Sequence, residues 1–464
     1  MARRGAWATR FGIYLAAIGS AFGLGGLWRF PYVVSENGGG AFVILYFFLM
    51  IFLGMPLLIG ELLIGKVTRR GVLSGQRQLV AQAQSRGTID KRRWLIRIMP
   101  LLAGVALFCC VAILGYYSVV SGWVLHFLVQ FWSLSVGDAV MSPHAVSMIQ
   151  LKDSGMLQLF LASMHIVAVS VIVAKGVEDG IEKWVGFVMP IFVIILSVLV
   201  VKSLTMSSSG NAIRYLLYPD FSKLNIRSLG AAVGQLCFTL SVGFACMVTF
   251  GSYLRDAAIV PSTGFRVATF DSATALIAGF LVFPLVIGGS GELKGPELLF
   301  NSVPGFLLKL DGGIVFGIFF FLCLYMAALG ASISLFETLV ANICENSHLS
   351  RGKASLLASL ATIISSVVPA LSSTVFKDVL AGGHNLFEFI DFVLIDWIVP
   401  IVALVFSQIV VYEVNEKMKI DEFAGLEGAS RDILYTQWSF LMKWVVPSVI
   451  VFALILQFVG LFQH

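Results

Sequence analysis

The sequence is poor in charge, has few cysteines and lacks a cluster of metal-binding side chains. Only 12% of its 464 residues are charged, whereas 58% are hydrophobic, which excludes a soluble globular protein. The net charge of +5 therefore gives no reason to expect a nucleic-acid partner. Its six cysteines and six histidines show neither disulfide nor metal-ligand spacing, so we expect no resident cofactor. An enzyme is not expected either, because we find no nucleophile–base pair and no phosphate-binding loop.

The chain does contain apolar runs, each long enough for a helix that crosses a lipid bilayer. They predict an all-α polytopic membrane protein with about eleven transmembrane helices in a single domain that covers 1–464. The predicted spans are 9–35, 40–65, 94–130, 157–175, 183–204, 227–255, 267–291, 313–345, 353–371, 385–413 and 438–462. The polar connections 131–156, 205–226 and 293–311 should lie outside, the last as a re-entrant hairpin.

Basic residues are distributed unevenly between the two sides of these spans. If the N-terminus is cytoplasmic, 22 of the 31 lysines and arginines lie on the cytoplasmic side, nine of them between Lys66 and Arg97. Cytoplasmic connections of membrane proteins carry such an excess. We therefore predict a multi-pass protein of the inner (plasma) membrane with a cytoplasmic N-terminus.

The first span contains four glycines between Gly19 and Gly26. Each glycine costs a helix roughly 1 kcal/mol relative to alanine, so the pattern favours a break halfway across the membrane. Backbone groups freed at such a break need a protein or polar-cavity partner. Freed N–H groups suit an anion and freed carbonyls suit a cation, so a zwitterion would satisfy both. The alternative is a glycine-packed helix crossing, which is also common in membranes.

The sixth span has a similar interruption, because Thr239, Ser241 and Gly243 place hydroxyls and a glycine in the middle of the membrane. Hydroxyl side chains in a helix often bond back to a carbonyl, so this signal is weak by itself. Interruptions in both the first and the sixth span suggest two halves of opposite orientation. Such an arrangement points to a midplane binding site in secondary transporters.

Ionisable residues inside predicted spans are costly and usually functional, and we single out Arg29, Glu61, Asp271, Glu337 and Asp391. Arg29 and Asp391 lie toward the outer ends of their spans and could close a pathway from outside. The alternative is that they snorkel to the headgroups. We expect Glu61 to accept hydrogen bonds from freed backbone N–H groups, and Asp271 to carry function.

Several sequence blocks together resemble the neurotransmitter:sodium symporter family along the whole chain. These blocks are Trp7–Arg10, Gly23–Gly25, Arg29–Pro31, Glu36–Phe42, Tyr116–Tyr117, Gly234–Gln235, Phe238–Ser241, Gly243–Phe244 and Ile390–Phe392. The resemblance implies a LeuT-like fold, which is a 5+5 inverted repeat with discontinuous first and sixth helices. The first repeat would cover about 7–204 and the second about 227–413, with an extra helix at about 438–462. It also implies alternating access to one central site.

The same resemblance implies a substrate site at the two breaks. A substrate carboxylate would meet the N–H groups of Leu24 and Gly25 and the hydroxyl of Tyr117. The substrate ammonium would meet the carbonyls of Ala21, Phe238 and Thr239 and the hydroxyl of Ser241. Relatives that carry amines have an aspartate where Gly23 stands, so Gly23 favours an amino acid over an amine.

The implied side-chain pocket is apolar and consists of Ile113, Phe238, Phe244, Ala331 and Leu335. A polar side chain would stay unpaired there, so a hydrophobic amino acid is predicted as the partner. The two phenylalanines could equally be plain packing residues.

The gates are implied by the resemblance as well. Arg29 with Asp391, and Tyr117 with Phe244, would close the outer side. On the cytoplasmic side a latch would join Arg4 to Glu345, and Trp7 would cap it.

The cation sites depart from the family pattern. One site would use the carbonyls of Gly19, Phe22 and Ala327, but its two hydroxyl positions read Gly330 and Ala331. A hard cation needs a full oxygen shell, so the loss of two ligands should weaken this site severely. Ser332 lies next in sequence but about 100° further around the helix.

The other cation site would use the carbonyl of Ala21, Thr239 and two asparagine positions that read Gly26 and Asp271. A carboxylate could hold sodium more tightly, or it could take a proton because burial disfavours its charged form. Sodium is thus the one metal ion that stays open as a partner. The family's chloride-linked serine position reads Ala275, so chloride dependence is not expected.

The sequence leaves three functions open. The first is a cation-coupled symporter of hydrophobic amino acids with degenerate sodium sites, in which sodium binds around Asp271. The second is a proton-coupled or sodium-independent amino-acid transporter that uses the same residue. The third is an amino-acid sensor that binds without transport, which the intact gate residues disfavour because a sensor need not seal both sides.

Overall fold

The computed structural model describes residues 23–85, 93–137, 148–289, 297–380, 384–423 and 429–462. Within these ranges the chain is mainly helical, and an isolated β-bridge joins Gly39 to Pro219. Nine of the described helices are long and apolar enough to cross a membrane. The predicted all-α polytopic membrane protein is therefore confirmed.

Eleven helical spans can be followed through the described ranges in the predicted order. They are α1 (Gly25–Arg29 and Phe30–Glu36), α2 (Gly40–Thr68), α3 (Arg93–Val136), α4 (Gly155–Ala174), α5 (Val177–Leu204), α6a (Ser228–Thr239) with α6b (Cys246–Ser252), α7 (Val260–Gly288), α8 (Gly313–Ser347), α9 (Arg351–Leu371), α10 (Leu386–Tyr412) and α11 (Arg431–Gly460). Their ends differ from the predicted ones by several residues, because a hydropathy window does not detect the polar turns that a helix extends beyond the apolar core.

Three helices of nine or more residues lie in connections for which no helix was predicted: Val72–Ser85, Ser209–Leu217 and Leu298–Leu307. Each is too short for a window of membrane-span length to detect. Leu298–Leu307 occupies the segment expected to form a re-entrant hairpin, and it packs against α7 and α8.

The sixth span is interrupted, as predicted. Between α6a and α6b the residues Ser241, Gly243 and Ala245 have positive φ angles of 55°, 92° and 67°, which a right-handed helix cannot contain. Gly243 is also required by a close approach, since a Cβ atom there would lie 2.6 Å from the carbonyl oxygen of Val399 in α10. In the first span, helical structure begins at Leu24, and the predicted inner half lies outside the described residues.

The helices pack in a way that relates the first five spans to the second five. α2 packs against α7, α3 against α8 and α4 against α9, so three helices meet their counterparts directly. α1 contacts α6a and α7 at the centre of the bundle. This arrangement is the LeuT-like inverted repeat, whereas the exact bounds of the two repeats stay a prediction.

We name the two ends of the bundle by residues. The Asn37 side carries the turn from α1 to α2, and the Arg69 side carries the end of α2. Around the outside, spans such as α5 and α11 expose large apolar side chains, among them Ile194, Trp444 and Phe458. Such surfaces suit lipid rather than water.

Candidate functional site

A cavity lies between the start of α1, the interruption of the sixth span, and the middle of α3 and α8. Its lining residues are Gly23, Gly25, Ile113, Tyr117, Phe238, Thr239, Ser241, Phe244, Ala331 and Leu335. All of them belong to the substrate site that the resemblance implied. Of the two remaining members, Leu24 bonds to a lining residue and Ala21 lies outside the described residues.

One wall of the cavity is polar because helix α1 begins there. The first N–H groups of a helix have no partner within it, and the amide of Leu24 donates to the hydroxyl oxygen of Tyr117 at 2.8 Å. Both residues are buried. The N–H and O–H groups of this pair are donors that a carboxylate could accept from.

The interruption of the sixth span is held by an acidic side chain from α2. The amide of Gly243 donates to Glu61 Oε1 at 2.7 Å, and Glu61 is only 1% exposed. This is the bond to a freed backbone N–H group that we expected for Glu61. It keeps the backbone of α6 unwound beside Ser241, which lines the cavity.

The opposite wall is apolar, with Ile113 from α3 and Ala331 and Leu335 from α8. No hydroxyl, amide or charged side chain comes from this wall among the described lining residues. An apolar group can be buried here without leaving a polar partner unsatisfied.

The aromatic pairing at this site differs from the implied gate of Tyr117 with Phe244. In the described structure the ring that faces Tyr117 is Phe238, at 6.4 Å between centroids, and Tyr116 stacks on the same ring at 6.4 Å. The reason is that Phe238 lies in α6a on the Asn37 side of the interruption, whereas Phe244 lies within the interruption. Phe238, not Phe244, is therefore the aromatic partner of Tyr117.

Asp271 of α7 lies beside the cavity in a chain of hydroxyl groups. Tyr46 donates to Asp271 Oδ2 at 3.0 Å, and the hydroxyls of Tyr46 and Thr239 are 3.0 Å apart. Asp271 is 1% exposed, and its Oδ1 atom has no hydrogen-bond partner among the described residues. An unsatisfied buried carboxylate oxygen is costly, so this position fits either a cation or a proton.

The second implied cation position contains no hydroxyl from α8. Ala327, Gly330 and Ala331 stand there, and Gly19 and Phe22 lie outside the described residues. The nearby hydroxyl of Ser332 points to another helix, where it lies 2.8 Å from Nε2 of the buried His165 in α4. The side chains of Ala327, Gly330 and Ala331 therefore give this position no oxygen ligand.

Above the cavity, toward the Asn37 side, Arg29 and Asp391 form a bidentate pair. Arg29 Nε lies 3.2 Å from Asp391 Oδ1 and Nη2 lies 3.0 Å from Oδ2. Arg29 also donates to Gln235 Oε1 at 2.8 Å. A second aspartate of α10, Asp396, has its Oδ1 atom 3.3 Å from Arg29 Nη2. No role was predicted for Asp396, although an aspartate within a predicted span was a visible signal.

On the Arg69 side, Glu345 accepts a hydrogen bond from the amide of Gly71 at 2.8 Å. Its implied latch partner Arg4 and the capping Trp7 lie outside the described residues. About two turns deeper in α8, Glu337 is fully buried, accepts from Tyr253 at 2.7 Å and is paired with Arg351. Glu337 thus joins the end of α6b to the start of α9.

Comparison with known proteins gives matches along the whole chain. The sequence profile of the Sodium:neurotransmitter symporter family matches residues 4–139 and 130–463. The uncharacterized sodium-dependent transporter YhdH of Bacillus subtilis is 30% identical over 447 residues, which are 96% of both chains. The Drosophila melanogaster sodium-dependent serotonin transporter is 26% identical, over 74% of this chain and 60% of that protein.

A solved structure is similar as well. The crystal structure of MhsT in complex with L-phenylalanine superposes with a TM-score of 0.86 at 27% sequence identity. The match covers 98% of this chain and 99% of that one.

Proposed function

Because the chain belongs to the Sodium:neurotransmitter symporter family, we propose that it carries hydrophobic amino acids across the membrane by alternating access, coupled to a cation. Members of this family are transporters and not enzymes, and the chain is a multi-pass membrane protein. The proposal concerns the cargo, the coupling ion and the direction.

The lining of the central cavity supports an amino acid with an apolar side chain as the transported substrate. Donors at Leu24 and Tyr117 suit a carboxylate, and the wall of Ile113, Ala331 and Leu335 suits an apolar side chain. Gly23 stands in the lining, so the site lacks the aspartate with which amine-carrying relatives meet their substrate. The similarity to a structure that holds L-phenylalanine supports the same class of substrate.

For the coupling ion we propose sodium at a single altered site around Asp271. The unsatisfied Oδ1 atom of Asp271 supports a positively charged partner there, and relatives are named sodium-dependent. A proton on the same carboxylate is the second candidate, supported by the same unsatisfied oxygen. Chloride is not expected, because a carboxylate already supplies the negative charge.

For the orientation we propose that the Arg69 side is cytoplasmic. Arg69, Arg70 and Arg77 lie there, as the excess of basic residues on cytoplasmic segments predicts. Arg29 and Asp391 then form the outer gate, and transport runs inward.

Uptake of labelled branched-chain and aromatic amino acids into proteoliposomes tests this function. One series of measurements contains sodium and a second contains choline in its place. Each series is run with and without a pH gradient. We expect accumulation that depends on an inward sodium gradient. Accumulation that needs only a pH gradient would assign coupling to a proton, and binding without accumulation or exchange would favour a sensor.

A variant of the polar wall tests where the substrate carboxylate binds. Tyr117→Phe removes the hydroxyl that bonds to Leu24 and keeps the ring. Loss of a hydrogen bond to a charged group costs roughly 1.5–3 kcal/mol, so amino-acid affinity should fall at least about tenfold. Unchanged affinity in this variant would place the substrate carboxylate elsewhere.

A further inference from the structure

At the Asn37 side of the cavity, two carboxylates share one guanidinium group. Arg29 Nη2 lies 3.0 Å from Asp391 Oδ2 and 3.3 Å from Asp396 Oδ1. The side chain of Arg29 is 3% exposed, and those of Asp391 and Asp396 are 10% and 15% exposed. The three groups therefore form one largely buried cluster.

The winding of α10 brings the two acids together. Five residues of a regular α-helix turn through about 500°, which would place Asp396 about 140° around the helix from Asp391. Residues Phe392–Ile398 are instead π-helical, with hydrogen bonds that span five residues. The wider turn returns Asp396 to the face that carries Asp391.

The neighbouring helix is shaped around the second acid. A Cβ atom on Gly234 of α6a would lie 2.5 Å from Asp396 Oδ1, so a larger residue at this position would displace the carboxylate. α6a also contributes Gln235, whose amide accepts from Arg29 and donates to the Gly25 carbonyl at 2.9 Å. Gln235 is neutral, so it adds polar contacts and no charge.

The charges of the cluster do not balance. One guanidinium group compensates one carboxylate, and two carboxylates that share a site normally hold one proton between them. Other titratable groups around the cluster are Tyr32 and Glu36 of α1, Tyr116 of α3, and His384 and Glu388 at the start of α10. None of these described groups is a fixed positive charge, and His384 pairs with Glu388 at 3.4 Å.

We propose that Asp396 is a proton-binding site of the Arg29–Asp391 gate, protonated while the gate is closed. Opening the gate separates α1 from α10 and admits water to both acids. Asp396 then releases its proton to water, and it takes a proton up again when the gate closes. This inference relies on the proposed function for the existence of a gate, and it adds a proton-dependent step that is separate from Asp271.

Infrared difference spectroscopy of the purified full-length protein in lipid nanodiscs tests the proposal. A protonated carboxylic acid has a carbonyl stretch that is lost on ionisation. We expect the wild-type protein to show a carbonyl band from its protonated carboxylic acids. The component of this band that belongs to Asp396 should be missing in Asp396→Asn. The same component should be missing in Asp391→Asn, because Arg29 is then compensated by Asp396 alone, which ionises.

Glu388→Gln is the matched control, since it changes a more exposed acid of the same helix and should leave the component in place. Asp396→Glu should restore a component if the carboxyl group and not the residue volume is required. Persistence of the component in Asp396→Asn, or in a folded Asp391→Asn, would overturn the proposal. So would its loss on adding sodium at constant pH, which would make the ligand a metal ion. The measurement needs no substrate, so its result does not depend on whether amino acids are carried.

Discussion

The two implied cation positions of this protein differ in the ligands they offer. At the first, Asp271 brings a buried carboxylate whose Oδ1 atom has no hydrogen-bond partner among the described residues. At the second, Ala327, Gly330 and Ala331 bring no side-chain oxygen. Hard cations such as calcium, magnesium and sodium need several oxygen ligands, so we expect a cation to bind at the first position, which offers a full negative charge, and not at the second.

The hydroxyl closest in sequence to the second position is used elsewhere. Ser332 lies about 100° around α8 from Ala331, and its hydroxyl pairs with His165 of α4 at 2.8 Å. It therefore holds α4 against α8 instead of facing α1. The comparison predicts that ion coupling depends on Asp271 and hardly at all on Ser332.

The largest effect is expected for Asp271→Asn. Removing the charge takes away the strongest ligand of the first position, so gradient-driven uptake should fall at least about tenfold, which corresponds to roughly 1.4 kcal/mol. Binding of the amino acid should stay measurable, because its main contacts lie at α1 and α6. Uptake in proteoliposomes and equilibrium binding check both statements. If proton dependence is unchanged in this variant, Asp271 has no role in proton coupling.

A smaller loss is expected for Tyr46→Phe, which removes the hydroxyl that donates to Asp271. A hydrogen bond to a charged group contributes roughly 1.5–3 kcal/mol, and part of this should appear as weaker cation binding. We expect the sodium concentration for half-maximal uptake to rise about tenfold. Phe47→Leu, at the next position of α2, is the control and should not change it.

The missing hydroxyl ligands can be added to the second cation position by substitution. Gly330→Ser combined with Ala331→Ser adds two hydroxyls at the second position, so sodium should stimulate uptake more strongly, by roughly several-fold. Ala331 also lines the cavity, and each single variant is therefore measured beside the double variant. A double variant that binds substrate normally but gains no sodium response would show that the second position does not bind the ion.

The smallest effect on transport is expected for Ser332→Ala. Its hydroxyl partners His165, and its loss leaves a buried nitrogen unpaired at a cost of roughly 1–3 kcal/mol in stability. Thermal unfolding should therefore occur at a lower temperature, whereas the sodium dependence of uptake stays that of the wild type. A lowered sodium affinity would mean that Ser332 does reach the ion.

Much of the candidate site could be inferred from local sequence. Gly243 and its neighbouring hydroxyls indicated the interruption of the sixth span, because such residues do not continue a membrane helix readily. Arg29, Asp271 and Asp391 stood out because charge within an apolar span is costly. Residues that stand out by their type and their position within a single span could therefore be identified from the sequence alone.

Other features depend on how spans meet. Phe238 and Phe244 are equally aromatic in sequence, and only the packing of α6a against α3 shows which one faces Tyr117. Asp396 escaped notice because a regular helix would direct it away from Asp391, and the π-helical winding that reunites them is not encoded in a simple pattern.

Composition and local sequence pattern determined that this chain lies in a membrane and which charges lie inside its spans, and they indicated the interruption of the sixth span. These properties follow from the free energy of transferring each segment into lipid, which is a local quantity. Tertiary structure decided which oxygen atoms lie around Asp271, which aromatic ring meets Tyr117, and that one arginine contacts two acids. Those outcomes depend on distances between segments remote in sequence, which are set when the helices pack.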